Sequence, residues 1–135
     1  MLEVRDLHTY YGDSYVLQGV SLRVEKSQVV GILGRNGMGK TTLIRSIIGF
    51  TPPRRGQVLF KGRDITGWPS YRSVDLGMGL VPQGRRVFAS LTVNLPLALK
   101  VADHVHVLSR GRIVHSSAPQ ALWANEEIKA RYLGL

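Results

Sequence analysis

Residues 34–41 read G-R-N-G-M-G-K-T, a complete G-x-x-x-x-G-K-[ST] phosphate-binding loop, and what flanks it leaves few folds open. Ahead of it, Val29-Val30-Gly31-Ile32-Leu33 is an apolar run of strand length, predicting a buried strand. Behind it, Lys40 to Ile48 carries Leu43, Ile44, Ile47 and Ile48 at helical spacing. Strand, glycine loop and helix in this order predict an α/β fold of the P-loop type. Gly34, Gly37 and Gly39 permit backbone conformations and close approaches that a Cβ would hinder, so the N–H groups of Arg35, Asn36 and Met38 and their neighbours can turn toward phosphate oxygens. The helix adds its positive N-terminal end. Lys40 is placed to reach the outer phosphates, and the Thr41 hydroxyl to ligate Mg²⁺.

At 135 residues the chain can bury one core, so a single domain is expected. Hydrophobic residues make up 44% of it, as in ordinary globular chains, and no apolar run is long enough to cross a bilayer. The first ten residues include Glu3, Arg5 and Asp6 where a secretion signal would be apolar. Without cysteine, disulfides and thiolate metal sites are excluded, which suits a cytoplasmic protein.

Eighteen Lys and Arg against nine Asp and Glu give a net charge of +9, which raises polyanion binding as a possible role. The basic residues are scattered pairs such as Arg54-Arg55, Arg85-Arg86 and Arg110 with Arg112, mostly beside Gly or Pro. No basic helix or basic-aromatic platform emerges, so nucleic acid is not expected as a partner, and a basic nucleic-acid-binding protein is the third-ranked reading. His104 and His106 alternate on one strand face, but no third metal ligand accompanies them.

Elsewhere, Leu2 to Leu7 and Val20 to Val24 alternate apolar and polar side chains, predicting antiparallel strands around a turn at Tyr10 to Ser14. Thr51-Pro52-Pro53 stops the loop's helix, Gln57 to Phe60 is a short strand, and Gly77 to Pro82 is another. Val105 to Leu108 and Arg112 to Val114 form a hairpin around Ser109-Arg110-Gly111, and Pro119 to Ala124 is a short helix.

Three stretches together resemble one family: the G-R-N-G-M-G-K-T-T loop, V-P-Q-G-R-R-V-F-A-S-L-T-V at Val81 to Val93, and V-A-D-H-V-H-V-L-S-R-G-R-I-V at Val101 to Val114. They look like the ATP-binding subunits of ABC transporters, most of all those of branched-chain amino acid importers. The resemblance implies ATP and Mg²⁺ as cofactors, extends the phosphate loop to Thr42, makes Tyr11 the aromatic on which adenine stacks, and makes Gln83 a Mg²⁺ ligand that senses the membrane partner. It also implies a second ATP-binding subunit and ABC permease subunits as partners, at the inner face of the plasma membrane. Ser27 departs from the pattern, since relatives usually have Gly in the turn before the loop's strand.

A central block of that pattern is missing. The family follows its glutamine loop with a helical subdomain, an L-S-G-G-Q signature, a strand ending in Asp-Glu and a switch residue, and none of these occurs here. The junction falls near Val93 and Asn94, dividing the chain into a phosphate- and glutamine-loop part, 1–93, and a C-terminal part, 94–135. The expectation is therefore an internally truncated ABC nucleotide-binding domain with antiparallel N-terminal strands and a C-terminal hairpin. It would bind nucleotide but would not hydrolyse it, and removal of strands would leave a gap beside the loop's strand. The competing reading is a catalytically inactive remnant.

Overall fold

A computed structural model of the chain describes residues 1–35, 37–80 and 100–134. Its elements form two sheets. β1 (Leu2–Tyr11) and β2 (Ser14–Val24) make a long hairpin, and β4 (Arg55–Phe60) and β5 (Arg63–Asp64) extend it into an antiparallel sheet of order β2-β1-β4-β5. β3 (Val30–Leu33), β6 (His104–Ser109) and β7 (Arg112–Ser117) form a second sheet, in which β3 and β6 run parallel and β6 and β7 antiparallel. The N-terminal antiparallel strands and the C-terminal hairpin thus lie where the sequence put them. The first turn is tighter than expected, because Tyr10, Tyr11 and Ser14 are already paired in strands and only Gly12 and Asp13 reverse the chain.

α1 (Lys40–Ile48) packs Leu43 and Ile47 beneath the antiparallel sheet, against Val4, Leu7, Leu17, Val20, Leu22 and Val58. The Gly49 and Phe50 N–H groups both donate to the Arg45 carbonyl at 3.0 Å, ending the helix at Ile48, four positions before Pro52. Leu108 of β6 enters the same core, so the two sheets share it. On the other face of the small sheet, Leu33, Val105 and Val107 bury Leu122 of α3 (Pro119–Trp123). Ile128 of α4 (Glu126–Ile128) and Tyr132 and Leu133 of the closing π-helical turn, Lys129–Leu133, pack beside it.

Three expectations change. The loop's strand is not buried on all sides: among the described residues β3 pairs only with β6, Val29 before it is 49% exposed, and Val30 and Ile32 are half-buried. No described strand lies on its other flank. The strand expected at Gly77 to Pro82 does not form over residues 77–80, which carry no strand pairing, and Val81 and Pro82 lie outside the described residues. A short parallel strand gains nothing without a neighbour to take its N–H and C=O groups. Finally, α2 (Ser70–Asp75) was not anticipated; it buries only Ser73, so it has no apolar periodicity to read.

Ser27 stands at φ +61°, in the left-handed region that favours Gly, which explains the family's preference there. Asp103, the nearest acidic residue to the C-terminal hairpin, accepts the Val29 N–H at 2.7 Å and so ties the start of β3 to β6. That is the end of β3 away from the phosphate loop, about 13 Å off along a four-residue strand. Asp103 therefore has no catalytic place.

Candidate functional site

The phosphate loop runs from the end of β3 into α1, and two of its glycines, Gly34 and Gly39, are close-packed. Leu108's carbonyl occupies the space a Gly34 side chain would need. Gly39 is left-handed at φ +109°, and a Cβ there would press on Leu17 at 3.1 Å and Leu108 at 3.4 Å. Gly39 is also the N-cap of α1, and no side chain caps the helix, so the first-turn N–H groups are left for another acceptor. Gly37 has open space around it.

Beside these groups lies a cavity of about 190 Å³ lined by Val16, Gly37, Gly39, Lys40, Thr41 and Thr42. The Lys40 ammonium donates to the Gly34 carbonyl across the loop. Its partial burial, which removes water from the charged form, lowers its pKa from the ordinary lysine value. An anion placed in the cavity would replace that lost hydration. Free helix N–H groups, an under-solvated ammonium and an adjacent hydroxyl make a donor set that suits a chain of phosphates. For Mg²⁺ the fit is partial, since Thr41 lines the cavity but no carboxylate does, and Gln83 lies outside the described residues, as does Asn36.

Tyr11 ends β1 on the α1 side. The neighbouring Thr51 and Thr42 side chains, with Arg45 adding to them, hold its phenol below the usual tyrosine pKa. Thr42 links it to the cavity, and the ring remains 44% exposed. Tyr11, Thr41, Thr42, Lys40 and the loop glycines are thus brought together. Arg35 lies on the exposed side of the loop.

Val16 was not anticipated as a lining residue. β2 begins at Ser14, earlier than the alternation at Val20 to Val24 showed, and that early start carries Val16 over the loop. The turn of the β6–β7 hairpin also reaches the loop, which no local sequence signal reveals. The histidine pair takes no part: the His104 and His106 rings meet edge to face at 4.8 Å, and His106 Nδ1 bonds Ser116 Oγ at 2.6 Å. Among the described residues no three metal-ligating side chains cluster.

The sequence pattern of the family described as ABC transporter matches residues 17–130. This chain belongs to the ABC transporter family. The chain is 37% identical over 99 residues to the high-affinity branched-chain amino acid transport ATP-binding protein BraG of Pseudomonas aeruginosa, an alignment covering 73% of this chain and 42% of that protein. It is 36% identical to the probable branched-chain amino acid transport ATP-binding protein LivF of Archaeoglobus fulgidus, over 82% of this chain and 48% of that one. It is also 31% identical to the hemin import ATP-binding protein HmuV of Pseudomonas entomophila, over all of this chain and 52% of that one. The chain therefore spans about half the length of the curated relatives it matches, or less. A nucleotide-free ATP-binding cassette from an ABC transporter shares its fold at a TM-score of 0.83 and 16% identity, over 95% of this chain and 96% of that one. The family is that of an ABC ATP-binding component, and the fold is an ABC nucleotide-binding domain shortened internally.

Proposed function

We propose that this chain binds ATP with Mg²⁺ at Gly34, Arg35, Asn36, Gly37, Met38, Gly39, Lys40, Thr41 and Thr42, with adenine against Tyr11 and Gln83 as the second protein ligand to the metal. The observation that carries the reading is the cavity itself, where an uncapped helix end and a partly desolvated Lys40 converge without any anion of the protein's own. The chain is a nucleotide-binding part of an ABC importer system at the inner face of the plasma membrane. Its partners are permease subunits and a second ATP-binding subunit. Branched-chain amino acids are the favoured cargo class, because two of the relatives are named for that transport; others named for hemin import and lipopolysaccharide export keep the choice open to test.

Binding without turnover is the expected behaviour. Phosphoryl transfer needs Mg²⁺ neutralising the transferred group, a residue orienting the attacking water and charge stabilisation from a facing subunit. None of Glu3, Asp6, Asp13, Glu25, Asp64, Asp75, Asp103, Glu126 and Glu127 lines the cavity. Titration calorimetry with Mg-ATP is the test: Lys40→Ala should weaken binding about ten- to a hundredfold, the worth of one charge-assisted contact. Equal affinity for both proteins would refute the assignment.

A further inference from the structure

The geometry points to the turn between β6 and β7 as a positioning element for the phosphate loop, acting through the side chain and carbonyl of Met38; this rests on the proposed nucleotide site. Met38 occupies a variable position of the G-x-x-x-x-G-K pattern, so the motif assigns its side chain nothing. Here the Gly111 N–H donates to the Met38 carbonyl at 3.0 Å, and the Arg110 N–H donates to Met38 Sδ at 3.3 Å. The Ser109 hydroxyl points at the same sulfur at 3.9 Å. On its other side the turn is anchored to β2, where the Gln18 N–H donates to the Gly111 carbonyl at 2.8 Å.

The turn cannot shift easily. Gly111 has φ +79°, and a Cβ on it would fall on the Val16 carbonyl, so the backbone is wedged between the loop and the strand that supplies Val16 to the cavity. A thioether is a weak acceptor, yet it is the only side-chain acceptor the turn meets on the loop among the described residues, and Met38 lies directly before the N-cap Gly39. Holding Met38 from outside fixes the direction in which the Gly39 and Lys40 N–H groups face the cavity. Met38 and the turn are positioning residues, since none of them lines the cavity.

The test replaces Met38 by Leu, which keeps bulk and removes the acceptor, and by Gln, which returns an acceptor oxygen on an unbranched side chain of similar length. Inorganic triphosphate and Mg-ATP serve as probes in calorimetry, and amide hydrogen exchange without any ligand is followed at Gly111 and Leu43, whose N–H groups donate to the Met38 and Gly39 carbonyls. The expected result is affinity about three- to tenfold lower in Met38→Leu, restored in Met38→Gln, with faster exchange confined to the amides bonded to the loop and an unchanged melting temperature. Affinity and loop exchange in Met38→Leu equal to the parent's would overturn the inference. So would a lowered melting temperature with exchange raised throughout, which marks a merely structural residue. If the parent itself binds neither probe, the nucleotide reading fails separately, and the exchange arm alone decides: localised acceleration supports the clamp, and none refutes it.

Discussion

The end of β3 at the phosphate loop and its flank opposite β6 differ in kind. Where β3 runs into the phosphate loop, the chain is held from two sides, by Leu17 and Val16 of β2 and by Leu108 and the β6–β7 turn. Along the flank opposite β6, no described strand covers it, and Val30 and Ile32 are left half-buried. The loop draws its contacts from elements that this chain retains. The flank would draw its contacts from strands that, by the family resemblance, belong to the missing block. Losing that block should thus remove catalysis and sheet width while leaving the phosphate cradle standing.

The sharpest way to break this comparison is to rebuild the flank. Inserting a relative's central block between Val93 and Asn94 should raise phosphate release from the level of the Lys40→Ala control by on the order of a thousandfold, since it returns both water positioning and transition-state charge stabilisation. Amide protection of Val30 to Leu33 should rise with it. Release by the unmodified chain well above the Lys40→Ala control would show that the retained half already catalyses.

A smaller effect tests the loop side. Removing the ring in Tyr11→Ala should weaken ATP binding by about 1–3 kcal/mol, the value of one stacked base, and leave inorganic triphosphate binding unchanged. Equal losses for both would make Tyr11 a prop for Thr42 and Thr51 and not a base platform.

β6 offers a pH-dependent probe of the strand that flanks β3. Burial, with His104 nearby, lowers the His106 pKa from its ordinary 6.5. The unfolded chain therefore takes up the proton more readily, so His106's contribution to stability is complete above pH 6.5 and falls as the pH drops toward the lowered value. Urea midpoints should show a slope of at most about 1.4 kcal/mol per pH unit in that window, and His106→Gln should flatten it. A slope unchanged by the substitution would assign the pH dependence to other groups. The smallest effect is at the entry to β3: Ser27→Gly should stabilise the fold by up to about 1 kcal/mol by relieving the left-handed backbone. Denaturant unfolding measures that, and nucleotide affinity should not move, because the turn lies at the far end of the strand from the loop.

Legibility in the sequence followed the range of the physical cause. The phosphate loop, α1, β4 and the β6–β7 hairpin were readable because glycine positions, helical spacing and alternation act within a few residues. The strand expected after Gly77 failed because its apolar run needs a neighbouring strand to pair with, which no local pattern states. α2 was invisible for want of an apolar face. At the site, the glycines, Lys40 and Thr41 declared their chemistry, whereas Val16 and the Arg110-Gly111 turn matter through tertiary packing and carry no signature of their own.

The meeting of Met38 with Arg110, 72 positions later, also sets an order of events during synthesis. β1, β2 and α1 can begin to assemble as they leave the ribosome, since their contacts are close in sequence, whereas β3 waits for β6. The backing of the phosphate loop arrives only with the second hairpin. Every nascent chain ending before Gly111 therefore lacks the turn that backs the motif, and on the proposed reading nucleotide can aid folding only after the second hairpin has emerged.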